Sequence, residues 1–213
     1  MQGILGKKIG MTRVFGEEGR QIPVTVIEVG PCVVVQRKTR GNDGYEALKI
    51  GLGAKTAARS NKAEMGQTKA CGGVASRYLH EFRVEEGESL KVGDTVTAAV
   101  LEGATHVDIT GITKGKGFQG VMRRHGMSGG PVTHGGHSKR RIGSIGCRSF
   151  PGRIHKGKRM PGHMGVVQVT TQNLKVAQLR ASENLLLVCG SVPGPAGAMV
   201  VVRKALKKAG QAK

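Results

Sequence analysis

Apolar positions along this chain recur in short runs, not at helical spacing. RQIPVTVIEVG (20–30), CVVVQRK (32–38), YEALKIGLG (45–53), THVDITGIT (105–113), VVQVTTQ (166–172), LKVAQLR (174–180), NLLLVCG (184–190) and AMVVVRK (198–204) are rich in Val, Ile, Leu and Thr. Gly, Pro, Asn and Asp separate them, as turn residues separate strands. KVGD (Lys91 to Asp94) and PGPAG (Pro193 to Gly197) read as turns. Strands at this density, mostly without helical segments between them, predict a mainly β fold built on a small closed barrel. The stretch Ala54 to Arg77 breaks the pattern. It is polar and rich in Ala and Lys, and predicts either a short helix or an excursion from the sheet. The C-terminal RKALKKAGQAK is a basic tail.

The strand pattern fails altogether between Gly115 and Gly162, where no period of 2 or 3.6 is sustained. GMSGGPVTHGGHSKRR is punctuated by Gly and Pro throughout. A structureless segment of this length in a compact domain implies function or disorder. It cannot bury enough apolar surface to fold alone.

Charge sharpens that reading. The 213 residues carry 34 Lys and Arg against 14 Asp and Glu, a formal +20 with a pI near 10.4. Between Asp108 and Glu183 lie 74 residues without one acid, holding 14 Lys and Arg and 15 glycines. The remaining 139 residues carry 20 basic and 14 acidic side chains, a net of only +6. A solvated basic face normally interleaves acids. Their absence predicts that this window lies against phosphates, with Gly letting the backbone approach and Arg pairing and stacking. A polyanion is the natural counterweight for such a charge, and nucleic acid is the expected partner. The alternatives are a basic enzyme, a flexible linker between two domains, and a chromatin-like DNA-binding protein. Linkers are seldom this basic, and the flanks read as parts of one sheet.

Other classes fare worse. No apolar run reaches the roughly 18 residues of a membrane span, and no apolar segment of a secretory leader follows Met1. The Gly-rich basic stretches do not alternate as an amphipathic surface helix would. Cys32, Cys71, Cys147 and Cys189 lie far apart, with no zinc spacing, and suit a reducing cytoplasm. GKGFQG (Gly115 to Gly120) matches the dinucleotide fingerprint on paper, but no acid follows to hold a ribose, and GVMRRHG is too short for the required helix. Nor is it a phosphate-binding P-loop: Gly111 to Lys116 has three spacers, and Gly117 stands where Ser or Thr must bind magnesium. His125, His134, His137, His155 and His163 fall in the acid-free window. His134 and His137 have no Cys or carboxylate beside them, and Lys139, Arg140 and Arg141 would repel a cation. Hydrogen bonding or stacking with RNA is therefore expected of them, and neither a metal nor a cofactor nor catalysis.

Five motifs carry a family resemblance. MQGILGKKIGMTRVF at the start, VDITGITKGKGFQGVMRRHGM, GGPVTHGGHSKRRIGSIG, PGRIHKGKRMPGHMG and NLLLVCGSVPGPAG together resemble the universal large-subunit ribosomal protein L-three family, in its bacterial type. The resemblance runs from Met1 to about Lys204. It implies a six-stranded barrel of the kind shared with translation factors, bound to large-subunit ribosomal RNA beside neighbouring ribosomal proteins in the cytoplasmic ribosome. It implies an early role in subunit assembly, and a long extension running toward the peptidyl transferase centre. Mapped on this chain, residues 1–112 and 164–206 form the barrel domain, with a second, RNA-facing excursion at about 54–80. Residues 113–163 form the extension and 207–213 the tail.

The expected RNA contacts are Lys114, Lys116, Arg123, Arg124, Lys139, Arg140, Arg141, Arg148, Arg153, Lys156, Lys158 and Arg159, with His125, His134, His137 and Phe150 as stacking or hydrogen-bonding partners. Lys7, Lys8, Lys207 and Lys208 are secondary candidates. The extension's apex is Gly143 to Phe150. Many bacterial members carry a glutamine, methylated in some, near the position of Ser149. Cys147, Arg148, Ser149 and Phe150 occupy that stretch here, so the resemblance does not carry the modification over. Gly165 to Gln168 replaces a more polar stretch common in the family, with no change of fold expected.

Overall fold

The computed structural model describes residues 1–16, 19–84, 88 and 90–208. The fold is mainly β, as the apolar pattern predicts. Six strands form one closed antiparallel ring: β1 (Gly3–Phe15), β2 (Gln21–Val29), β7 (His106–Ile112), β10 (Gln168–Arg180), β11 (Leu185–Cys189) and β12 (Met199–Lys204). The pairing order is β1–β12–β7–β10–β11–β2, and β2 returns to β1. Closure leaves few unpaired edges, which is how a small antiparallel fold avoids adding foreign strands.

A second antiparallel sheet, in the order β5–β4–β3–β6, holds β3 (Cys32–Lys38), β4 (Ala47–Ala54), β5 (Ser76–Arg83) and β6 (Thr95–Val96). The expected excursion is therefore shorter at its C-terminal end, because Ser76 already pairs with Ala54. Within it lies the expected short helix, Lys62–Thr68. Asn61 caps it, accepting from the Glu64 N–H at 2.8 Å while the Glu64 carboxylate accepts from the Asn61 N–H at 3.2 Å. This reciprocal box satisfies two of the donors that a helix start leaves open.

The two sheets share one core. Ile4, Leu5, Ile27, Val107, Ile109, Leu186, Val188, Val200 and Val202 of the ring pack with Val34, Leu48, Ile50, Phe82 and Val96 of the second sheet. This explains why β12 reads as an unbroken Val-Val-Val run: Val200, Val201 and Val202 are all buried, and a strand covered on both faces has no polar alternation to show. Cys32 is a packing residue here. Its Sγ–H donates to the Leu5 carbonyl at 3.6 Å, and burial pushes the thiol up to about 11.

Two buried charges stitch the ring. The Lys8 ammonium donates to the carbonyls of Val192 (2.8 Å) and Gly194 (3.0 Å) in the turn before β12. The Asp108 carboxylate on β7 accepts from the Asn173 N–H at 2.7 Å and the Leu206 N–H at 3.4 Å. Asn173 sits at φ 56°, where the register of β10 shifts between Thr171 and Leu174. The two apolar runs read from the sequence are thus one bulged strand.

The chain divides into two compact units, residues Met1–Ile112 with Gln168–Lys213, and Thr113–Val167. The second runs past the expected His163 boundary. Val167 is hydrogen-bonded to Thr113, and Met164 to Lys116 and Gly117. The tail residues 209–213 lie outside the described residues.

Removing the Asp108 carboxylate takes the acceptor from the half-buried Asn173 N–H and from the Leu206 N–H at the surface, and a hydrogen bond to a charged group contributes about 1.5–3 kcal/mol. Asp108→Ala should lower the free energy of urea unfolding by that amount. A change within about 0.5 kcal/mol, the range of ordinary surface substitutions, would mean that the bulge holds without its anchor.

Candidate nucleic-acid interface

Thr113–Val167 is held together by backbone contacts and glycine. At its base the Thr113 N–H donates to the Val167 carbonyl at 3.0 Å, and the Val166 N–H to the Thr113 carbonyl at 3.2 Å. The Lys116 N–H donates to Met164 at 2.9 Å, and the Met164 N–H to Gly117 at 3.0 Å. Gly165 has φ 81°, and a Cβ there would collide with the Lys114 carbonyl. The backbone can cross at this point only because residue 165 has no side chain.

Beyond the base a two-stranded ribbon forms, β8 (Phe118–Gln119) against β9 (Gly162–His163), with Phe118 opposite His163 and Gln119 opposite Gly162. A five-residue helix, Val121–His125, follows between Gly120 and Gly126, the latter in the left-handed region at φ 70°. GVMRRHG, read from the sequence as too short for the helix of a dinucleotide site, thus forms one short helix between its glycines.

Further along, the backbone doubles back. The Gly130 N–H donates to the Lys139 carbonyl at 3.2 Å, and a Cβ at Gly130 would meet the Ser138 carbonyl at 3.0 Å. The Arg141 N–H donates to Ser138 at 3.2 Å. Two stretches of main chain thus lie side by side without side chains between them. Lys139, Arg140 and Arg141 are left in solvent.

The expected contact residues divide into two sets. Lys114, Lys116, Arg123, His134, His137, Lys139, Arg140, Arg141, Arg148, Phe150, Arg153, Lys156, Lys158 and Arg159 are exposed. Phe150 is 87% exposed. Arg124 and His125 are half-buried instead and turn inward. Arg124 Nη1 donates to the Met160 carbonyl at 2.7 Å, and His125 Nε2 lies 3.0 Å from the same oxygen. Their place in the unit is to tie the helix to the returning chain just before β9. Arg124 also fills the space over Gly162, where a Cβ would lie 2.6 Å from its Nη1. Their type and charge gave no hint of this, since the partner is a carbonyl more than thirty residues away.

The electrostatics of the unit are one-sided. It holds 12 Lys and Arg and no acid, while the rest of the chain has 22 basic and 14 acidic side chains. Among the described residues every ion pair lies outside it, as in Lys38–Glu81 at 3.0 Å and Lys55–Glu64 at 2.6 Å. Those pairs hold the Glu64 and Glu81 carboxyls below the ordinary range. Among the described residues, no cluster of three His, Cys, Asp or Glu able to hold a metal is found, and no helix is long and apolar enough to cross a membrane. Chemically, the unit offers cations, N–H donors and exposed aromatic rings. It offers no carboxylate to act as a base.

Comparison with known proteins agrees with this geometry. The family described as Ribosomal protein L3 matches residues 47–185. The large ribosomal subunit protein uL3 of Geotalea daltonii is 46% identical over 97% of this chain and 98% of its own length. That of Pelotomaculum thermopropionicum is 47% identical over 98% and 99%, and that of Brachyspira hyodysenteriae 45% identical over 98% and 96%. A match of this depth, over nearly the full length of each relative, places the chain in the ribosomal protein L3 family, whose members are structural components of the large ribosomal subunit and not enzymes.

Proposed function

We propose that the unit Thr113–Val167 is the RNA-penetrating extension of a large-subunit ribosomal protein. In this reading the six-stranded ring is the translation-factor-like barrel that carries it. The chain binds large-subunit ribosomal RNA, lies beside other large-subunit proteins in the cytoplasmic ribosome, helps nucleate early assembly, and reaches toward the peptidyl transferase centre with its apex Gly143 to Phe150. The short helical excursion between β4 and β5 is a secondary RNA-facing element. No cofactor, metal or small-molecule substrate enters the account.

One observation carries it: twelve cations in 55 residues with no carboxylate among them. Free in water, such a segment repels itself. Beside phosphates, each cation releases a condensed counterion, and the repulsion becomes attraction. Glycine supplies the close main-chain approach, and the Arg side chains supply forked donors that match phosphate oxygens. The mechanism is positional. The ring anchors the protein, and the basic unit fixes the path of the RNA around it.

Salt dependence tests this directly. With about ten phosphates neutralised, log affinity for the large-subunit RNA should fall against log salt with a slope of roughly −7 to −9. Lys139→Ala should flatten that slope by about one. A slope near zero, or equal affinity for random duplex DNA, would contradict the proposal.

Anchoring and local tuning should also separate. Ile112 and Gln168 are paired directly across β7 and β10, so residues 113–167 can be replaced by a two-residue Asn-Gly turn without opening the ring. That deletion should block subunit assembly in sucrose gradients. Arg148→Ala with Phe150→Ala removes at most one phosphate contact and one stack, on the order of 1–3 kcal/mol. It should leave subunits assembled and alter peptidyl transfer. If the double substitution stalls assembly as badly as the deletion, the division is wrong.

A further inference from the structure

The ribbon β8–β9 carries an aromatic pair that charge and motif did not single out. Phe118 stands opposite His163 across the two strands, with ring centroids 5.8 Å apart and planes at 84°. Phe118 is nevertheless 67% exposed. Such an edge-to-face contact steadies both rings without covering them, because it uses one edge and part of one face. The neighbouring pair, Gln119 and Gly162, points to the ribbon's opposite face. There Arg124 lies over Gly162 and is held by the Met160 carbonyl. One face of the ribbon is therefore filled by the protein itself, and the other presents an uncovered ring on a braced two-stranded support.

The surroundings indicate what covers it. Lys116 is exposed two residues before Phe118. Arg123, also exposed, is steadied by Gln119, whose Oε1 lies 3.4 Å from Arg123 Nη1, while Gln119 Nε2 donates back to the Lys116 carbonyl. No carboxylate occurs anywhere in the unit. An apolar protein partner would have to desolvate these two cations. A nucleotide instead supplies a flat ring for Phe118 and a phosphate for each cation.

We propose that Phe118, braced by His163, is a stacking platform for an unpaired base of the large-subunit RNA, with Lys116 and Arg123 holding the flanking phosphates. This rests on the RNA-binding reading above and adds to it a second aromatic contact, at the base of the unit and distinct from Phe150 at the apex. Stacking is sequence-tolerant because every base has a π face, so the site selects an unstacked nucleotide, not a particular one.

The chain contains no Trp, so Phe118→Trp introduces a single indole as reporter. The full-length protein and its Phe118→Trp, Phe118→Leu and Lys139→Ala variants would be titrated with the large-subunit RNA transcript, with circular dichroism confirming that each is folded. Phe118→Trp should bind within about twofold of the original, with its fluorescence quenched at saturation as a base stacks on the indole. Phe118→Leu, still apolar but without a π face, should bind roughly tenfold more weakly with an unchanged salt slope. Lys139→Ala should instead change the slope. If the parent protein keeps its steep slope while Phe118→Leu binds as tightly and Phe118→Trp is unquenched, the platform is refuted and the RNA-binding reading stands. A parent slope near zero overturns both. If Phe118→Leu binds naked RNA normally but fails only in assembled subunits, the ring packs on a neighbouring protein, which also refutes the stacking site.

Discussion

Electrostatic repulsion within Thr113–Val167 is the constraint from which the rest of the molecule follows. Side chains there cannot form ion pairs with one another, because no carboxylate is present. Cohesion comes mainly from the backbone: Thr113 with Val167, Lys116 with Met164, Gly130 with Lys139. Close main-chain approach requires glycine at Gly129 and Gly165, where a Cβ would strike the carbonyls of Lys139 and Lys114. The glycine content and the positive charge are two sides of one arrangement. Main chain holds main chain, and the cationic side chains other than Arg124 are left to engage something else.

The other unit shows the opposite economy. Its acids are used: Asp108 anchors the bulge of β10, Glu81 bridges Lys38 and Tyr45, and Glu64 serves both Lys55 and the helix cap. Its apolar side chains close a ring of strands against a second sheet. A unit that satisfies its own polar groups can stand as a scaffold. Two chemistries thus coexist in one chain, divided near Ile112 and Gln168, which are paired residues of the ring.

How much of this was legible in the sequence depended on the range of the interaction. β2, β3, β4, β7, β11 and β12 were visible as apolar runs because burial acts on each residue locally. β1 was not read as a strand, since Gly3, Gly6, Lys7, Lys8 and Gly10 hide its pattern. Lys8 is buried only because the turn after Val192 supplies carbonyls. β10 looked like two runs because Asn173 interrupts the alternation, and its reason for doing so is Asp108, 65 residues away in the chain. The second sheet could not be told from the ring, because periodicity reports burial and not which strand is the neighbour. The same limit applied to the interface. Charge identified the exposed cations, but the inward turn of Arg124 and His125 and the meeting of Phe118 with His163 depend on pairings across dozens of residues.

Ultraviolet crosslinking of intact large subunits, followed by peptide mass spectrometry, measures the central claim most directly. It reports which residues of this chain lie against nucleotides without altering any of them. Crosslinked peptides should concentrate between Thr113 and Val167, with the Asp- and Glu-bearing strands of the ring and the second sheet largely free of them. Crosslinks spread over those strands and absent from Thr113–Val167 would contradict that claim.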